Sequence, residues 1–238
     1  MGGAPRSDAA GLGRPAAGAP AAARADLVRH LRQRGAIRSE AVEAALLAVP
    51  REAFLDSGTP IEHAYSDAPV LLKRGRRGQI ISTISQPTMI AAMLEQLEVR
   101  RGDRVLEIGT ASGYHAALLA HLTGPAGLVV SVELEADLAA NAARALDRVG
   151  VDNAAVLCAD GRRGWERAAP YDRIVVTAAA SRVEPAWKEQ LRDRGRLVAP
   201  LDAPSMCFAY EKRDGQMVEL SRVPAAFVPL RTEPGGSG

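Results

Sequence analysis

Aromatic residues are scarce: Phe, Trp and Tyr make up only 4% of the 238-residue chain. A core without large rings must be built from alanine, leucine and valine, and an apolar fraction of 47% provides for that. Cysteine is scarcer still. Cys158 in "AAVLCAD" and Cys207 in "SMCFAY" form no CxxC pair. Both read as buried, reduced thiols rather than as a disulfide or a nucleophile. His30, His63, His115 and His121 are scattered, so no metal-ligand cluster is visible and no metal is expected. No apolar run approaches the roughly 18–20 residues of a membrane span. No excess of one charge exists either: 30 basic and 28 acidic residues leave a net +2, without the basic and aromatic interleaving of a nucleic-acid binder. The expected protein is a cytoplasmic monomer with neither nucleic acid nor membrane as partner.

The opening "MGGAPRSDAAGLGRPAAGAPAAARA" carries arginines, but Gly and Pro interrupt the apolar core that a signal peptide needs. Arg6 stands where a myristoylation pattern wants Ser or Thr. Residues 1–24 are predicted to be a disordered leader and 232–238 a flexible tail. Between them, residues 25–98 form a helical and loop region and 99–231 a regular core. "RADLVRHLRQRGAI" and "SEAVEAALLAVPREAF" read as helices, the second capped by Ser39 and ended by Pro50. Residues 56–82 read as loop. In "SQPTMIAAMLEQLEV" one apolar face appears, with Ser85 as the predicted N-cap and Pro87 in the first turn.

From residue 103 strands and helices alternate. "DRVLEIG", "GLVVSVE", "NAAVLCAD", "YDRIVVTAA" and "GRLVAPL" read as strands. "SGYHAALLAHL", "EADLAANAARALDRVG" and "VEPAWKEQLRDRG" read as helices, and "MCFAYEKRDGQMVELSRV" as a hairpin turning at Asp214-Gly215. That alternation predicts an α/β, Rossmann-like, doubly wound sheet, mostly parallel, with helices on both faces.

Ligands of such sheets bind at the carboxyl ends of the strands. The first regular strand ends in "LEIGTASGY", where Gly109 and Gly113 let the backbone approach a ligand. Glu133 ends the second strand, placed to accept hydrogen bonds from a ribose diol, and Asp160-Gly161 ends the third, placed for adenine. A dinucleotide fingerprint would need glycine where Ala111 and Tyr114 stand. Glu107, just before the loop, suits a cationic ligand, as S-adenosylmethionine is.

With these residues in view, "VLEIGTASGYHAALLAHL", "ISQP", "VPREAFLD", "CADGRRGWERAAPYDRIVVTAAA" and "FVPL" resemble, in collinear order over residues 25–231, the protein-L-isoaspartate O-methyltransferases. The resemblance implies a seven-stranded sheet with an antiparallel terminal strand, S-adenosylmethionine as cofactor, and contacts to it from Glu107, Gly109, Ala111, Gly113, Glu133, Asp160 and Gly161. It implies substrate contacts from Ile84, Ser85 and Val228, and matches Asp67 to the acid of the family's "AYxD" segment. Two departures stand out. Ala111 replaces a usual glycine, and the basic "VLLKRGRRGQIISTISQP" replaces the shorter "LPIGxGQTISQP".

The implied chemistry is methyl transfer to a carboxylate, which is already ionised at neutral pH and needs no base. Hydroxyls and amides can hold it without a fixed ion pair. Ser85 is therefore a candidate catalytic residue, and the resemblance implies Asp67 as a second. The substrate is an isoaspartyl residue, whose ester closes to a succinimide and so begins repair. Methylation of a normal aspartate in a dedicated precursor peptide, and non-catalytic nucleoside binding, remain alternative readings. Lys73, Arg74, Arg76 and Arg77 are expected to form a mobile basic flap that gathers acidic peptides.

Overall fold

A computed structural model describes residues 18–232. The chain opens with α1 (Ala19–Gln33) and α2 (Glu40–Ala48). α1 begins inside the predicted leader. Pro20 sits in its first turn, alanines follow, and Val28 and Leu31 are buried, so residues 19–24 are helical rather than disordered. Residues 1–17 of that leader and 233–238 of the predicted tail lie outside the described residues. α2 starts as predicted: the Ser39 hydroxyl accepts the Val42 amide, and the Glu95 carboxylate takes the Arg38 and Ser39 amides at 2.8 and 2.9 Å.

A 3-10 turn (Arg51–Phe54), the short α3 (Ile61–Ala64) and a hairpin of β1 (Val70–Arg74) and β2 (Ile80–Ile84) follow. The hairpin corrects the loop predicted over 56–82. Val70, Ile81 and Ile84 are buried, which anchors its inner side, while Gly75 and Gly78 serve only its tip. α4 (Pro87–Leu97) then leads into the regular core.

That core comprises β3 (Arg104–Ile108), α5 (Tyr114–Thr123), β4 (Leu128–Glu133), α6 (Ala136–Arg148), β5 (Ala154–Cys158), β6 (Tyr171–Val176), α7 (Pro185–Gln190), β7 (Leu191–Leu201), β8 (Met206–Arg213) and β9 (Gln216–Pro224). The seven strands run β5-β4-β3-β6-β7-β8-β9. The first five are parallel, and β8 is antiparallel to both neighbours. The antiparallel strand is therefore the penultimate one, and β9 returns in the direction of β7. Asp214 and Gly215, with φ of 50° and 77°, make the predicted turn. α7 is shorter than predicted, because Leu191 is buried and pairs with Tyr171, so sheet pairing claims the residues up to Gly195. Cys207 is buried, but Cys158 is exposed, a correction explained by its place on the edge strand β5.

The strands split the core into two layers. Val105, Val129, Val175 and Val198 face a cluster with α1, α2, α4, α5 and α6. Leu106, Ile108, Val130, Ile174 and Leu197 face the other, which is closed by Trp187 of α7. Among the described residues no helix is long and apolar enough to cross a membrane.

Candidate active site

The switch point lies where β3 is flanked by β4 on one side and β6 on the other, and a cavity opens across the strand ends there. Its floor is the loop after β3 with Glu133, Gly161 and Thr177. Its roof is β2 with Ser85, and the segment Val228 to Arg231.

Gly109 and Gly113 adopt positive φ of 98° and 89°. A Cβ on Gly109 would come within 2.4 Å of the Thr177 hydroxyl oxygen, and one on Gly161 within 2.5 Å of Ile108. Only glycine lets the backbone lie this close, so main chain rather than side chain faces the cavity. The Thr177 hydroxyl donates to the carbonyls of Ile108 and Gly109 at 3.0 and 2.6 Å, bracing the loop from β6. Ala111 also has positive φ, 52°. This accounts physically for a usual glycine at that position.

Glu133 lines the cavity, and its carboxylate accepts the amides of Ala111 at 2.8 Å and Glu135 at 3.0 Å. Burial pushes its pKa above the ordinary 4.5, against the pull of those backbone amides. A buried acceptor fixed at a strand end fits a ribose diol. The other expected acids lie elsewhere. Glu107 is fully buried beneath the loop and does not line the cavity. It accepts the Ser131 hydroxyl and faces His115 Nδ1 at 2.7 Å, so its bonds run to the walls of the cavity and not into it. Asp160 is likewise turned away: its carboxylate takes the Arg162 amide at 3.0 Å, and Gly161 forms the wall instead.

Ser85 and Ile84 line the cavity from the roof, and Val228 from the C-terminal side. Ser85 is not the N-cap of α4, as predicted. Gln86 is, and it makes no side-chain cap bond. Asp67 supplies the cap from a distance. Its carboxylate takes the Thr88 amide at 2.9 Å, the Thr88 hydroxyl at 2.6 Å and the Gln86 side-chain amide at 3.2 Å. Burial pushes Asp67 up, but these donors outweigh it, and its pKa falls below 3.8. Asp67 does not line the cavity. It fixes the segment on which Ser85 sits, while the Ser85 hydroxyl keeps no partner among the described residues.

Three features escaped the sequence reading. Arg51 is fully buried, donates to the carbonyls of Ala64 at 2.9 Å and Ser85 at 3.1 Å, and stacks 5.1 Å from the Tyr114 ring centroid. Thr177 braces the loop, and His115, one of the scattered histidines, lines the cavity. "VPREAF" carried Arg51 in a quoted motif, but its partners lie 13 and 34 residues away and leave no local signal. The basic run is also divided. Lys73 bridges Glu135 and Asp137 at 2.6 Å each, and Arg231 reaches Glu135 at 2.8 Å, so Lys73 belongs to a tie across the roof and not to a flap.

The comparisons agree with this geometry. The family model of protein-L-isoaspartate(D-aspartate) O-methyltransferase matches residues 22–234. The chain is 42% identical over 212 residues to a protein-L-isoaspartate O-methyltransferase of Ignicoccus hospitalis, covering 87% of this chain and 97% of that one. It is 42% identical over 217 residues to the one of Methanopyrus kandleri, covering 90% and 93%. A solved protein-L-isoaspartate O-methyltransferase superposes with a TM-score of 0.80 at 33% identity, over 87% of this chain and 65% of that chain. A Plasmodium falciparum structure, titled as a putative protein-L-isoaspartate O-methyltransferase in complex with S-adenosyl-L-homocysteine, shares the fold with a TM-score of 0.75 at 24% identity, over 87% and 97%. The chain belongs to the protein-L-isoaspartate(D-aspartate) O-methyltransferase family.

Proposed function

We propose that this protein uses S-adenosylmethionine to methylate the α-carboxylate of isoaspartyl residues in proteins or peptides. The observation that supports the reading best is the cavity itself. It joins a glycine loop and a buried ribose-type acceptor, Glu133, to a roof bearing the unpaired Ser85 hydroxyl. The cofactor supplies the methyl group as a sulfonium.

The chain's own residues do the rest. Ser85 donates to the acceptor carboxylate without neutralising it, so the nucleophilic oxygen keeps its charge. Arg51 and Asp67 hold the Ser85 segment from behind, one by its carbonyl and the other through α4. Ile84 and Val228 shield the reacting groups from water. No general base is needed, since a carboxyl of pKa about 4 is ionised at neutral pH. The ester then reacts away from the protein. The following amide nitrogen attacks the ester carbonyl, methanol leaves, and the succinimide hydrolyses partly to normal aspartate. A cytoplasmic monomer acting on peptide, without nucleic acid or membrane, completes the reading, in keeping with the balanced charge.

Methyl transfer measured on matched isoaspartyl and aspartyl peptides tests it. Transfer confined to the isoaspartyl peptide is expected. Equal or greater transfer to the aspartyl peptide would overturn the substrate assignment, and no transfer to either would overturn the activity.

A further inference from the structure

Arg51 is wholly buried, yet no carboxylate lies within ion-pair distance of it among the described residues. Nε donates to the Ala64 carbonyl and Nη2 to the Ser85 carbonyl, while Nη1 is buried without a hydrogen-bond partner. The guanidinium lies over the Tyr114 ring, 5.1 Å from its centroid. The two acids of this region are engaged elsewhere. Glu52 takes the Tyr65 hydroxyl, and Asp67 holds Thr88 and Gln86. An arginine keeps its charge even when buried. Carbonyl dipoles and a ring face offset only part of the cost of taking that charge out of water, so a buried cation without an anion is an uncompensated group.

The place of this charge relates it to the cavity. Ser85 and Tyr114, which it touches, both line the cavity, so the cation stands one residue behind the wall. The side chain itself does not line the cavity. Its field still reaches there, because packed protein screens charge far less than water does. On the function proposed above, the group that comes to rest beside Ser85 is a carboxylate. We propose that Arg51 supplies the positive potential that draws this carboxylate to the roof, so that the site selects an anionic acceptor over a neutral one of the same shape. The distance suits the reaction. A cation in contact would hold the nucleophilic oxygen in an ion pair, whereas one held behind Ser85 leaves its lone pairs free for the methyl group. Arg51 is thus a positioning residue through its charge as well as through its bond to the Ser85 carbonyl.

Two peptides isolate the charge: an isoaspartyl peptide, and the same peptide with its α-carboxylate replaced by the carboxamide. Calorimetry on the full chain loaded with S-adenosylhomocysteine is expected to show tighter binding of the carboxylate. Arg51→Gln should reduce that preference about tenfold or more, as loss of a unit charge within roughly 10 Å does at an effective dielectric of about 20, and the loss should fall on the carboxylate peptide. Arg51→Lys keeps the charge but changes the bonds, and should hold the preference within about threefold of the wild type. Should the Gln variant fold poorly, salt on the wild type gives the answer. A buried charge is screened little, unlike one on the surface, so the preference should change by less than about twofold between about 0.05 and 0.5 M salt. No preference in the wild type, equal losses for both peptides, a Lys variant no better than the Gln variant, or a preference that vanishes in salt would overturn the assignment. A wild-type protein that binds neither peptide would instead overturn the substrate reading on which it rests.

Discussion

Ala111 shows how one methyl group acts at the site. Its φ of 52° puts a Cβ in the left-handed region, at a cost of roughly 1–2 kcal/mol. Ala111→Gly removes that cost but gives the unfolded chain more freedom, worth about 0.4–1 kcal/mol the other way. A net gain of up to about 1 kcal/mol is expected in urea unfolding, with cofactor affinity retained because the Ala111 amide still meets Glu133. Glu133 is the opposite case. Its folded pKa is raised above 4.5 by burial. Its contribution to folding is therefore full below 4.5 and lost as pH rises through the folded value, so at neutral pH the ionised group opposes folding. Glu133→Gln should match or exceed the wild type in thermal stability at pH 7, and the excess should vanish on acidification. The same change should weaken S-adenosylhomocysteine binding about 10–100-fold, because a charged acceptor is lost. A variant less stable at neutral pH would refute the sign.

At the scale of elements, the hairpin and α4 divide their tasks between neighbouring residues. Asp67 caps α4 while Ser85 does not, so their alanine variants should behave oppositely. Asp67→Ala should cost about 1 kcal/mol of stability, with activity falling through the displaced roof. Ser85→Ala should leave stability nearly unchanged and lower turnover. Because the Asp67 pKa is depressed, its contribution is present above 3.8 and is lost as pH falls through the folded value, so the gap between Asp67→Ala and wild type should close in acid. Lys73 is spent on Glu135 and Asp137. Arg74 donates to the Gly78 carbonyl at 2.9 Å, which leaves Arg76 and Arg77 exposed at the tip without an ion-pair partner among the described residues. Leu71 and Ile80 are exposed on the same hairpin. Replacing Arg76 and Arg77 by Gln should raise KM for acidic isoaspartyl peptides at low salt and leave neutral peptides unchanged. The difference should shrink above about 0.15 M salt, where the Debye length is about 8 Å. An equal loss for both peptide classes would mark the tip as surface only.

At the scale of the whole molecule, the strand–helix alternation from residue 103 was sufficient to determine the parallel sheet and the glycine loop, because hydrophobic periodicity and glycine conformation are local properties, while the strand order that sets the switch point came from the fold. The same locality made Glu133, Gly109 and Gly161 legible as wall residues, whereas Ser85 was reached through the resemblance. It failed where competition between distant partners decided. Leu191 left a helix for a strand because Tyr171 was there to pair with it, and the predicted loop became a hairpin because Val70, Ile81 and Ile84 found a core. It failed again for charge. The sequence places Glu107, Asp160, Asp67 and Lys73 near the right segments, but their direction depends on which donor lies within reach. Tertiary packing turned Asp67 toward Thr88, Lys73 toward Glu135 and Glu107 toward Ser131, whereas Asp160 found its partner two residues on, in the Arg162 amide. Backbone form follows from neighbours in sequence, whereas the pairing of a buried charge follows from neighbours in space, since desolvation makes each such group take whichever partner the fold brings to it.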